Sequence, residues 1–152
     1  MSRAFVKESD NVDVVPERPI SPHPNYVTAR GLALIESALA RAQSQHAAAQ
    51  AAADREALAT AARDLHYWQQ RRASVEVIPT PPDKDAVHFG STVTIEREDG
   101  RRQKWQIVGE DEADPTRGTL SYVSPVARAL AGRKVGDVVQ AGNSDAEIVA
   151  IE

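Results

Sequence analysis

Two carboxylates, Asp54 and Glu56, lie in the alanine-rich run AQAAADREALATAARD at 49–64. Carboxylate oxygens are the donors that a hard divalent cation takes, at about 2.0 to 2.6 Å, so this pair is the candidate for chemistry at a metal. The same residues also read as a turn between two helices, in which Asp54 caps the second helix and Glu56 complements its dipole. Nothing else in the chain offers a stronger constellation. His23, His46, His66 and His88 show neither HExxH nor any other compact ligand spacing, so zinc has no support. The letters DEAD at 111–114 occur without a GxxxxGK[ST] phosphate loop or any Gly-Lys pair, and read as an acidic solvated loop closed by Pro115 and Gly118. No serine sits in GxSxG, and no glycine-rich cradle follows a strand. Cysteine is absent, which excludes disulfides, thiolate metal sites and cysteine nucleophiles. The chain therefore reads as no enzyme, with no catalytic residue, no metal site and no cofactor of its own, and no small-molecule substrate.

With 152 residues, 41% hydrophobic but only 5% aromatic, the chain suits one average domain or two small ones with modest cores. A net charge of −4 with both signs interspersed gives no broad basic face. Bulk nucleic-acid binding through phosphate neutralisation is not indicated, and protein partners are. The start, MSRAFVKESD, lacks the apolar core of a signal peptide, and no run of about 18 apolar residues exists to cross a bilayer. The expectation is a cytoplasmic protein without a membrane association.

The elements that must position Asp54 and Glu56 follow from periodicity. Residues 1–25 carry Pro16, Pro19, Pro22 and Pro24, which favours a flexible leader with no fold of its own; its apolar pair, Phe5 and Val6, could dock on something. From Thr28, placed as an N-cap, Leu32, Ile35, Leu39, Ala42, His46, Ala49 and Ala53 are spaced alternately by three and four, a heptad seam. A second series, Leu58, Ala61, Leu65, Trp68, Arg72 and Val75, is out of phase with the first, so the chain turns near 53–57. This predicts an antiparallel coiled-coil helical hairpin over 26–78, with Trp68 in its core and His46 tolerated near the tip. A single bent helix is the alternative, since no Gly or Pro marks the turn. PTPPDKD makes 79–86 a linker. Beyond it, VTIEREDGRRQKWQIV reads as two strands around Asp99-Gly100, with Val93 and Ile95 sharing a face with Trp105 and Ile107. GTLSYV and DAEIVAIE read as further strands, and SPVARALAG as a short helix with Ser124 as cap, Pro125 at its first position and Gly132 closing it. The fold class is α+β, with 87–152 a small domain built on a mostly antiparallel sheet.

The run SPVARALAGRKVGDVV at 124–139, preceded by WQIVGEDEADPTRGTLSYV at 105–123, closely resembles the C-terminal domain of the GreA/GreB transcription elongation factors. Ser-Pro-x-Ala-Arg-Ala-Leu, Gly-x-Lys-x-Gly-Asp and Ile-Val-Gly-x-Asp-Glu-Ala-Asp all stand in the family's order and spacing. The hairpin matches more weakly, through Thr28-x-x-Gly31 at its start and Val75-Glu76-Val77-Ile78 at its end. The leader is similar to that of Gre-like proteins with a proline-rich N-terminal extension.

The resemblance implies a globular domain of FKBP-like fold on the rim of RNA polymerase's secondary channel, with the coiled coil entering the channel. It puts Ser124, Pro125 and Arg128 among the polymerase-binding residues. In the family's cleavage factors two tip carboxylates, Asp-x-x-Glu in a Gly-Asp-x-x-Glu-Asn-Ala context, help hold a second magnesium ion in the polymerase's own active centre, where backtracked RNA is hydrolysed. Here Asp54 is followed three positions later by Ala57, the acid falls at Glu56, and the Gly and Asn are missing. The hairpin also reads about one heptad or slightly more shorter per arm, a loss of roughly 10 to 15 Å of reach at 1.5 Å per residue. The expectation is a polymerase-binding factor that modulates elongation without efficient cleavage, with magnesium only within the polymerase active centre. Alternatives are an active cleavage-stimulating factor, an interaction protein similar to the Gre-related regulators of nucleoside diphosphate kinase, and, from the fold alone, a peptidyl-prolyl isomerase.

Overall fold

The computed structural model describes residues 15–152; Phe5 and Val6 of the leader lie outside the described residues. The chain divides into two compact units. One gathers the described residues up to Pro22 with Ile35–Ser74, the other His23–Leu34 with Val75–Glu152. Both ends of the segment 26–78, together with the linker at 79–86, thus cluster with the β domain.

In the first unit, residues 15–22 contain neither helix nor strand, as their prolines require. The two helices are α1, Ala29–Ala51, and α2, Arg55–Ala73; at 1.5 Å per residue they run to roughly 35 and 28 Å. Thr28 Oγ1 accepts the Gly31 N–H at 3.0 Å, the N-cap expected for α1. Along α1 the buried stripe is Ile35, Ala38, Ala42 and Ala49, a narrow seam of small side chains that lets a partner helix approach closely. On α2 Ala61 is buried as expected and Leu58 and Leu65 are half-buried, and the departure is confined to the last turns, where Arg71 is buried and Arg72 exposed. A long basic side chain can lay its methylenes along apolar surface, which disguises such a position as solvent-facing. Trp68 is only half-buried; it packs edge-on against Tyr67, with ring centroids 4.9 Å apart.

The turn between the helices spans Ala52 to Asp54, so the chain folds back instead of forming one bent helix. Ala53 N–H bonds to Gln50 O at 3.1 Å and Asp54 N–H to Ala49 O at 3.3 Å, the paired bonds of a Schellman motif with Ala53 in the C′ position. Ala53 has φ 52°, a left-handed conformation that a Cβ disfavours. Replacing Ala53 with glycine is therefore expected to stabilise the chain by about 1 kcal/mol, read as a raised urea midpoint at unchanged slope.

In the second unit a five-stranded sheet has the order β5-β4-β3-β7-β6, with β3 Thr92–Arg97, β4 Arg102–Val108, β5 Thr119–Ser121, β6 Val138–Ala141 and β7 Ser144–Ile151. Only the β4–β5 pair is parallel. Val93, Ile95 and Ile107 are buried together with Ile148, Val139 and, from the short helix α3 (Pro125–Leu130), Ala127 and Leu130, and Trp105 packs against them. At the β3–β4 turn only Gly100 takes a positive φ, 84°, and its N–H bonds back to Arg97 O at 2.9 Å. The connection is a type I turn closed by a glycine bulge, not a two-residue turn with both centres left-handed. β6 escaped the sequence reading, although its buried residues alternate, Val139 and Ala141 in, Val138 and Gln140 out.

The same unit holds a two-stranded parallel clasp: β1, Tyr26–Val27, beside β2, Glu76–Val77. Glu76 N–H bonds to Asn25 O at 2.9 Å and Ile78 N–H to Val27 O at 2.8 Å. The clasp is backed by Gly109, where an added Cβ would fall 2.2 Å from Tyr26 O.

Candidate functional site

At the hairpin tip, Asp54 precedes α2 with extended backbone, and its Oδ1 accepts the Ala57 N–H at 3.1 Å. Glu56 lies in the first turn, where a negative charge meets the helix dipole favourably. Both are exposed, and both border an open hollow of about 770 Å³ that Ala49, Ala61 and Asp64 also line. They stand two positions apart, Asp54 just before the helix and Glu56 within its first turn. One Asp54 oxygen is moreover engaged as the cap. Among the described residues no group of three or more His, Asp or Glu is placed to hold a metal ion.

In the β-domain unit, Ser124 Oγ accepts the Ala127 N–H at 3.3 Å as the N-cap of α3, with Pro125 at the first position. Gly132, φ 76°, closes the helix region. Pro125 and Arg128 are exposed and three residues apart, hence on one face. Among the described residues the Arg128 guanidinium has no hydrogen-bonded or ionic partner. The arrangement is a rigid, capped turn that presents a ring and a free cation to solvent, geometry suited to a carboxylate on a protein partner.

The DEAD segment is not the wholly solvated loop its composition suggests. Glu112 is 8% exposed, and its Oε2 accepts the Thr28 hydroxyl at 2.6 Å. A Cβ on Gly31 would fall 2.8 Å from that same oxygen. Thr28, Gly31 and Glu112 are therefore one structural cluster, and the acid is a buried hydrogen-bond acceptor. Asp114 caps the 3-10 turn Pro115–Arg117, its Oδ1 accepting the Thr116 hydroxyl at 2.6 Å and the Thr116 N–H at 3.1 Å. The Thr116 hydroxyl bond holds the Asp114 carboxyl below its ordinary value of 3.8. A depressed carboxylate contributes stability above its unfolded pKa and loses it as pH falls through the folded one. Asp114→Asn is thus expected to lose less stability than the native chain between about pH 5 and 3, checked by urea titrations at each pH.

Two parts, a helical hairpin and a curled, mostly antiparallel β domain bearing a capped Ser-Pro turn, define the architectural class. Residues 82–152 match the family described as transcription elongation factor GreA/GreB, C-terminal domain. Curated relatives include the transcription elongation factor GreA of Sphingopyxis alaskensis, 48% identical over 69 residues, 45% of this chain and 43% of that protein. That of Desulfovibrio desulfuricans is 40% identical over 97 residues, 62% of this chain and 59% of that protein. The GreA factor homolog 1 (Gfh1) protein of Thermus thermophilus is similar in structure at a TM-score of 0.43 and 21% identity, over 86% of this chain and 99% of that one. The C-terminal domain, residues 82–152, is thus of the GreA/GreB C-terminal type. The matched stretch spans about half the length of those curated relatives. Among the described residues no helix is long and apolar enough to cross a membrane.

Proposed function

We propose that this chain binds RNA polymerase at its secondary channel and modulates elongation without efficient transcript cleavage, occupying the channel against other factors. The observation that carries the reading is the tip: Asp54 is engaged as a helix cap, and the second acid stands at Glu56 where an Asp-x-x-Glu spacing would require position 57, which is alanine. Docking is supported by the family match over 82–152 and by the exposed Pro125 and Arg128. Any RNA hydrolysis belongs to the polymerase, whose magnesium ions are the only metal the reading involves, so the chain is no enzyme. It acts in the cytoplasm, where polymerase works.

The test is RNA cleavage in backtracked elongation complexes, with this chain added alone and in competition with GreA. The expected result is no stimulation alone and suppression of GreA's cleavage. Stimulation that disappears in Asp54→Asn, which retains the cap but not the charge, would instead identify a cleavage factor.

A further inference from the structure

The leader segment VPERPISP, residues 15–22, is seated on α2 through the side chains of Arg18 and Glu17. The Arg18 guanidinium carbon lies 3.9 Å from the Tyr67 ring centroid and 5.5 Å from that of Trp68. Its Nη1 is 3.4 Å from Asp64 Oδ1, an oxygen that Arg63 Nε also meets at 3.2 Å. Glu17 Oε2 lies 3.6 Å from His66 Nε2. Asp64, Tyr67 and Trp68 stand at i, i+3 and i+4, one face of the helix.

We propose that this face is a recognition site for an arginine set between prolines in an extended segment, and that Pro16–Pro19 fills it in cis. A planar guanidinium stacks on aromatic faces while its edge reaches a carboxylate, which a lysine ammonium cannot do at once. Pro16 and Pro19 preset φ on both sides of Arg18, so little conformational freedom is lost on docking. The contact is exchangeable. Arg18 and Asp64 side chains retain 35% and 26% exposure, Glu17 retains 75%, and Ile20 remains 42% exposed and gives no apolar anchor. Contacts of this kind hold a tethered segment because its effective concentration is of order millimolar. A partner presenting Pro-x-Arg-Pro in extended form competes for the same face.

The experiment follows the indole N–H resonance of Trp68 in the full chain by NMR, with Trp105 as the control for the β domain. Arg18→Ala is expected to shift the Trp68 resonance. Adding a synthetic peptide of residues 15–22 at about 10 mM is expected to reverse that shift, while leaving the native chain unchanged. A peptide with lysine in place of the arginine is expected to fail. No shift in Arg18→Ala would overturn the docking. A shift that the peptide does not reverse, or that the lysine peptide reverses equally, would overturn recognition of arginine.

Discussion

Gly109→Ala is expected to cost roughly 3 kcal/mol or more of stability, the upper range for forced overpacking. The added Cβ would sit 2.2 Å from Tyr26 O and 3.5 Å from Val27 Cα, and the obstacle is backbone, which cannot rotate away as a side chain can. β1 must move, and with it the hydrogen bonds Glu76 N–H to Asn25 O and Ile78 N–H to Val27 O. For a domain of this size such a loss corresponds to a melting temperature lower by roughly 10 °C or more. Differential scanning calorimetry checks it; an unchanged transition would mean that the clasp contributes nothing to stability. Gly31→Ala should cost less, since the nearest atom there is the end of a side chain, Glu112 Oε2.

Arg128→Glu is expected, on the proposed reading, to weaken polymerase binding by on the order of 10- to 100-fold, the range of a central charged contact reversed in sign. Its exposure predicts an unchanged melting temperature. Ser124→Ala divides the other way, costing about 1 kcal/mol of stability through the lost cap. Competition of each variant with labelled GreA for core polymerase separates the two effects. Native affinity in Arg128→Glu would move the docking surface away from α3.

Local chemistry made much of this architecture legible. Thr28, Asp54 and Ser124 are caps whose side chains reach the N–H three residues on, and Asp54 could be recognised as one even without a glycine at the turn. The β3–β4 pairing followed from Asp99-Gly100 and alternation. What escaped depends on contacts remote in sequence. β1 and β2 are two residues each, too short for any periodicity. Glu112 lies in an acidic run and is buried where Thr28 and Gly31 meet it; the Thr-x-x-Gly spacing was the available signal. Arg71 and Arg72 are indistinguishable by type, and only packing selects Arg71. At the tip, the places of Asp54 as cap and Glu56 in the first turn were legible from the sequence, whereas the seating of Arg18 on Tyr67 and Trp68 had no signal beyond composition.

The parallel clasp of β1 and β2 brings together the points where the chain leaves for α1 and returns from α2. Everything between those points is an excursion, closed at its base by two backbone hydrogen bonds whose register does not depend on how long the excursion is. Matched additions or removals of whole heptads from both arms leave the clasp untouched. Arm length is therefore an adjustable ruler, and selection or an engineer can reset it while the β domain keeps its address.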